Sequence, residues 1–297
     1  MQVPASQSAS SLLHSRRASH RFSCTCGALD ALYTPQSFAS TPRRSHEPSS
    51  VEAGLAEGAV LEVLGPPGVG KTRTLLGFAL AERFREDGGE VLVVDADGAL
   101  LPSLIQETAV LYGEHNGYTA ADVQGVLEGI RYRRIDSAWL LVALFRSLES
   151  WLAEHPKVNL ILVDSLAAHL RPTLDSATRT LIADTVRSAL SAVCSSGRVS
   201  VIVTTHLSLK LFGPDHQPSK WSRDAEALLV PQIAERWIPQ EVNSWRLLLY
   251  YDERGERLAR SLSSPAPTEA TDAAFAMDSL GPCDVPQRPF EGELTPT

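Results

Sequence analysis

Gly65-Pro66-Pro67-Gly68-Val69-Gly70-Lys71-Thr72 fills every fixed position of the phosphate-binding pattern G-x-x-x-x-G-K-[ST]. The apolar run at residues 59–64 comes just before it and reads as a buried strand. After it, residues 74–85 have helical spacing, with Leu75, Leu76, Ala79, Leu80 and Phe84 able to share a face. In a strand–loop–helix context the glycines permit a tight turn whose backbone N–H groups point inward at phosphate oxygens. The helix N-terminus adds partial positive charge. On this reading Gly65, Pro66, Pro67, Gly68, Val69, Gly70, Lys71, Thr72 and Arg73 line a nucleotide. Lys71 reaches the β- and γ-phosphates and Thr72 coordinates Mg²⁺. The alternative is a Gly/Pro turn that binds nothing, and the full match in its required context favours the nucleotide.

The rest of the chain extends the same pattern. Asp87-Gly88-Gly89 stops the helix. Residues 90–94 form a second buried strand, ending in Asp95-Ala96-Asp97-Gly98. Two helical patterns fill residues 100–127, with a break at 113–117. Residues 129–135 read as a short strand carrying Arg131, Arg133 and Arg134, and Asp136 as the cap of a helix running to about residue 154. A third apolar strand, 158–163, ends in Asp164-Ser165. A helix at 176–194 and a strand at 199–204 follow, then a polar loop at 207–224. Residues 245–252 and 256–261 look like a hairpin turning at Arg254-Gly255. Buried strands alternating with helices imply a mostly parallel sheet with helices on both faces. The expected core spans 24–262, with a flexible insertion at 34–50. Tails occupy 1–23 and 263–297, and residues 273–277 are expected to add an edge strand.

At 297 residues and 43% hydrophobic content the chain can bury a full core. A formal net charge of −8 argues against a surface coated in positive charge, yet leaves room for a local strip that binds nucleic acid. No apolar run approaches the length of a membrane span, so a membrane partner is not expected. Cys24, Cys26, Cys194 and Cys283 form no CxxC pair and no cluster with histidine, which points to reduced thiols inside a cell. Residues 1–23 are rich in Ser, carry Arg16, Arg17 and Arg21, and lack acidic residues. That composition suits either a disordered tail or a mitochondrial transit peptide.

On parallel sheets of this type ligands bind at the carboxyl ends of the strands. The polar residues just past each apolar run are Lys71 and Thr72, Asp95 and Asp97, Asp164, and Thr205 and His206. Asp164 closes an apolar strand as a Walker B carboxylate does and is the candidate Mg²⁺ ligand; otherwise it caps a turn. Asp97 is the candidate for orienting or deprotonating an attacking water, or else a turn residue before Gly98. His206 stands where a side chain could contact the γ-phosphate, or is a solvated loop histidine. Lys210, Lys220, Trp221 and Arg223 combine positive charge with an aromatic platform, which suits single-stranded nucleic acid; the alternative is a solvated loop.

Taken in order, GPPGVGKT, VLVVDADG, LILVDSLAAHLRP and VIVTTHLSLK resemble the RecA/RadA-type recombinases and their eukaryotic paralogues. Within that family the stretch from Trp151 to Val158, Ala227-Leu228-Leu229-Val230-Pro231 and Glu235-Arg236-Trp237 are most similar to the C-type paralogue of the Rad-fifty-one recombinase. Thr205-His206 is more like the D-type. The resemblance covers about residues 24–285 and implies an α/β fold: a RecA-like P-loop ATPase core, a mostly parallel sheet with helices on both faces, and a C-terminal β-hairpin. It implies ATP and Mg²⁺ as cofactors, and DNA, single-stranded or branched, as a partner. Other recombinase paralogues and the recombinase itself are the implied protein partners, in the nucleus, with the mitochondrion open from the N-terminal composition. The implied function is an ATP-dependent mediator subunit in homologous recombination and double-strand-break repair, with weak DNA-dependent ATP hydrolysis. A scaffold subunit that binds ATP with negligible hydrolysis and a RecA-fold helicase or motor are the alternatives. By position Lys71, Thr72 and Asp164 match the family's phosphate, Mg²⁺ and Walker B residues. Asp97 stands where the recombinases carry a catalytic Glu, one methylene longer, and Thr205-His206 where they often carry Asn-Gln.

Overall fold

The computed structural model describes residues 20–34, 53–170, 174–214, 217, 226–233, 235–262 and 272–285. The strand before the loop, β3 (Val60–Gly65), is buried along its whole length, because both of its faces are covered. A short antiparallel pair, β1 (Arg21–Phe22) and β2 (Leu55–Ala56), precedes it, with helix α1 (Gly27–Leu32) between them. Next come α2 (Lys71–Arg83), β4 (Glu90–Asp95), α3 (Pro102–Asn116), α4 (Ala120–Glu128), β5 (Ile130–Arg134), α5 (Ala138–Glu154), β6 (Val158–Asp164) and α6 (Ser176–Ser195). The chain then forms β7 (Ser200–Phe212), β8 (Glu226–Pro231), β9 (Ser244–Tyr251), β10 (Arg257–Ser261), β11 (Ala273–Met277) and β12 (Pro282–Asp284).

Among the described residues ten strands make one sheet in the order β12-β11-β10-β9-β3-β7-β6-β4-β5, with β8 paired to β7 alone. From β9 through β5 the neighbours on that path run parallel, and β10, β11 and β12 join antiparallel. The fold is therefore an α/β P-loop domain with a mostly parallel sheet, and the hairpin expected from 245–261 is β9–β10. Side-chain alternation sends Leu61, Val63, Val91, Val93, Leu160, Leu162 and Ile202 to one face, where α2, α3 and α4 pack. Val60, Leu92, Val94, Ile161, Val163, Val201 and Val203 meet α5 and α6 on the other.

Several local expectations need correction. Ser137, not Asp136, caps α5, accepting from the Leu140 amide at 3.3 Å. The loop expected from residue 207 begins as ordered strand: β7 continues to Phe212 and pairs antiparallel with β8, Leu207 opposite Pro231 and Phe212 opposite Glu226. The alternation of Leu207 and Leu211 with Ser208 and Lys210 is a two-residue period, which polar composition alone hides. Residues 273–277 do form a strand, but β12 lies outside it, so β11 is not the edge. The expected tail 1–23 and insertion 34–50 fall mostly outside the described residues.

The two ends of the described chain meet over α2. The Asp284 carboxylate accepts the backbone amides of Gly27 and Ala28 at 3.2 and 2.8 Å, capping α1. Thr25 donates its hydroxyl to the Pro282 carbonyl at 3.1 Å. Gly77 of α2 lets this layer approach, since a Cβ there would stand 2.5 Å from the Cys24 carbonyl oxygen.

On the other face, Glu62 is a buried carboxylate in the central strand. It accepts from Arg246 Nε at 2.6 Å and from the Thr205 hydroxyl at 2.7 Å. Breaking a buried charge pair from one side leaves the other ion poorly compensated. Glu62→Ala is expected to lower unfolding stability by about 3–5 kcal/mol in urea titrations; a loss under about 1 kcal/mol would mean the pair is not coupled to folding.

Candidate functional site

After β3 the chain turns through residues 66–70 before α2 begins at Lys71. The turn needs left-handed backbone at Gly68 (φ 81°) and Gly70 (φ 114°), which glycine adopts without steric cost. Gly70 meets a second constraint, because a Cβ there would collide with the Met277 methyl of β11. The outside of the loop is held by the C-terminal strands. Tyr251 donates its hydroxyl to the Gly68 carbonyl at 2.9 Å, and Arg257 Nε donates to the Val69 carbonyl at 3.2 Å. The Arg257 guanidinium lies 5.4 Å from the centre of the Tyr251 ring.

Lys71 is buried, and its Nζ donates to the carbonyls of Gly65 and Pro66 at 2.8 and 2.9 Å. Burial pushes its pKa down to about 8, against the opposing pull of the Asp164 and Asp97 charges. Thr72 donates its hydroxyl to Asp164 Oδ2 at 2.7 Å, while Thr204 donates to Asp164 Oδ1 at 2.5 Å. Burial raises the Asp164 pKa, and the Thr204 and Thr72 hydroxyls work against that rise. A hydroxyl and a carboxylate side by side at the end of a P-loop are the hard-oxygen donors that suit Mg²⁺, which is commonly held by one or two carboxylates plus phosphate oxygens. The residues present thus fit that metal.

The carbonyl of Asp164 accepts the amides of Ala96 and Asp97 at 2.6 and 3.0 Å, which ties the end of β4 to the end of β6. Asp97 then faces His206, with Nε2 to Oδ2 at 3.6 Å. Burial, and next the Lys71 charge, hold the His206 pKa below its ordinary value, against the opposing Asp97 and Asp164 charges. Thr205 does not join this group, contrary to expectation. Its hydroxyl lies on the opposite face of the sheet, bonded to Glu62 of the neighbouring strand, and Thr204 is the residue beside Asp164. Strand parity explains this: Ile202, Thr204 and His206 share the face of α2, and Thr205 takes the other.

Asp95, at the same edge, is fully buried and is engaged in holding the turn. It accepts from the Gly98 amide at 2.7 Å and the Tyr132 hydroxyl at 2.9 Å, and pairs with Arg134 at 3.1 Å. The sequence pattern does not single out Tyr132 and Arg134 as partners of this edge, although the register Asp95 opposite Arg134 puts them there. Arg131 is paired with Glu90 at 3.0 Å. Arg73, expected at the nucleotide, donates from Nη1 to the Ser279 carbonyl at 2.6 Å and faces Thr108 at 3.4 Å. Of the four residues expected at DNA, Lys210 is exposed on β7, and Lys220, Trp221 and Arg223 lie outside the described residues. No helix among the described residues is long and apolar enough to cross a membrane.

The model of a family described as AAA domain matches residues 32–209. The chain is 27% identical over 232 residues to DNA repair protein RAD51 homolog 3 of Cricetulus griseus, covering 71% of this chain and 59% of that protein. It is 23% identical over 223 residues to DNA repair protein RAD51 homolog 3 of Dictyostelium discoideum, covering 70% of this chain and 55% of that protein. The chain therefore spans less than two thirds of the length of these relatives.

The buried ammonium makes a prediction about stability. Between about pH 8, the folded pKa of Lys71, and its ordinary value of 10.5, the unfolded chain binds the proton more tightly, so stability rises with pH through that window. Below it the whole penalty is present. Lys71→Met is expected to raise unfolding stability at pH 7 by about 1–3 kcal/mol and to lose the advantage as the pH approaches 10.5. Parallel pH profiles for the two proteins would show that Lys71 is not desolvated in the folded chain.

Proposed function

The chain belongs to the AAA-domain family, and from that premise we propose that it is an ATP- and Mg²⁺-binding subunit acting in DNA repair by recombination. The observation that carries the nucleotide half is the Thr72 hydroxyl on the Asp164 carboxylate at 2.7 Å, beside the buried Lys71 ammonium. In this reading the loop amides and Lys71 hold the phosphates, and Thr72 and Asp164 hold the metal, which supplies positive charge to the phosphate oxygens when bound. The recombination half rests on similarity to the RAD51 homolog 3 proteins. That similarity supports membership among the RAD51 paralogues; the C-type branch, and a mediator role with other paralogues, the recombinase and DNA in the nucleus, are proposed from it.

Hydrolysis is proposed to be weak. Asp97 is the group to position an attacking water, but its carboxylate is short and faces His206 at 3.6 Å. That approach favours a second reading, in which ATP is bound as a structural element and turned over little. DNA is proposed to meet the ribbon of β7 and β8 through Lys210 and, in the segment joining the strands, Lys220, Trp221 and Arg223.

Titration with a fluorescent ATP analogue tests the core of the reading. Wild-type protein should bind with Mg²⁺, and Lys71→Ala should weaken binding at least tenfold, a loss of about 1.4 kcal/mol or more. Absence of binding by wild type would end it. Under the hydrolytic reading Asp97→Asn keeps nucleotide affinity and cuts steady-state turnover by about 10²–10⁴-fold; equal turnover in both proteins would leave the structural-ATP reading.

For DNA, replacing Lys210, Lys220 and Arg223 by Ala should flatten the log–log salt dependence of single-strand binding, by about 0.7 for each phosphate no longer neutralised. An unchanged slope would remove the ribbon from the DNA site.

A further inference from the structure

Asp164 has two carboxylate oxygens, and different elements supply their donors. Thr72, at the head of α2, holds Oδ2 at 2.7 Å, and Thr204 of β7 holds Oδ1 at 2.5 Å. The pairing of Val163 with Val203 sets Thr204 directly beside Asp164 on the same face of the sheet. Both are deeply buried, Thr204 at 0% and Asp164 at 3% exposure. Threonine is β-branched and therefore restricted at χ1 in a strand, so its oxygen is held in place and the O–H turns to the carboxylate beside it.

We propose that Thr204 is a positioning residue for the metal-binding carboxylate: its hydroxyl sets the rotation of the Asp164 carboxyl so that Oδ2 is the oxygen presented to Thr72 and to Mg²⁺. The proposal rests on the nucleotide reading above and adds a residue to it. Without the hydroxyl, Oδ1 loses its donor from β7 and the carboxyl plane is left free to turn about its bond to Cβ, away from the loop. Thr204 does not touch the nucleotide in this scheme; it acts through Asp164. Its neighbour Thr205 serves as an internal contrast, being the same residue type on the same strand with its hydroxyl bonded to Glu62 on the opposite face of the sheet.

The test is affinity for a fluorescent ATP analogue with Mg²⁺ and with a chelator, measured on the full chain. Thr204→Val removes the hydroxyl and keeps the shape, Thr204→Ala removes it without adding a methyl, and Thr204→Ser keeps it. Hydrogen bonds to charged groups are strong enough that the Mg²⁺-dependent gain in affinity should fall roughly tenfold in the Val and Ala variants. The Ser variant should retain that gain within about twofold, and affinity in the chelator should be the same for all four proteins. A merely structural role would lower thermal stability without moving the ratio of the two affinities. Wild-type Mg²⁺ gain with an equal gain in Val and Ala would overturn the assignment of Thr204 and leave the nucleotide reading standing. Loss of the gain in Ser as severe as in Val would overturn it too, because the hydroxyl would then not be the cause. No nucleotide binding by wild type would sink both.

Discussion

One residue ties the site together. The carbonyl of Asp164 takes the amides of Ala96 and Asp97 from the end of β4, and its carboxylate takes hydroxyls from Thr72 on α2 and Thr204 on β7. Three neighbouring segments are thus fastened to the end of β6 within a single residue. Because Asp164 is 3% exposed, these bonds work in a medium of low effective dielectric, where each is stronger and each missing donor costs more. The position of Asp97, and through it the approach of His206, follows from where Asp164 puts its own backbone.

The same burial holds two groups against ionisation from opposite sides. It pushes Asp164 up, against the Thr204 and Thr72 hydroxyls, and Lys71 down, against the Asp164 and Asp97 charges. A carboxylate and an ammonium in this state are poised for a ligand that carries both signs, and a polyphosphate with a divalent cation is such a ligand. The loop amides add donors that need no charge at all.

Much of this can be read from the chain, because the informative residues follow apolar runs. The strand before Gly65, the loop, Lys71 and Thr72 are a local arrangement whose spacing dictates its geometry, and Asp164, 92 residues beyond Thr72, is marked by the apolar strand it closes. Facing is harder. Thr204 and Thr205 are identical in sequence, and only the alternation of β7 tells which one meets Asp164; counting from buried Ile202 finds it. The extension of β7 through Lys210 is hidden because its polar residues alternate with leucines in a segment too polar to look like core. The contacts of Tyr251, Arg257 and Met277 with the loop have no local signal, since they join residues far apart in the chain and depend on β9 and β11 taking their places in the sheet.

Those distant contacts give the protein an order of assembly in time. Arg73 and Ser279 are 206 residues apart, and Val69 and Arg257 are 188 apart. At a synthesis rate of roughly 5–20 residues per second, the ribosome delivers the second member of the first pair about 10–40 s after the first. During that interval the nascent chain carries a complete phosphate-binding motif without the wall that Met277 and its neighbours build against it. The motif is encoded early and finished late: Tyr251 and Arg257 reach the loop first, and the segment of Met277 and Ser279 completes the wall after them.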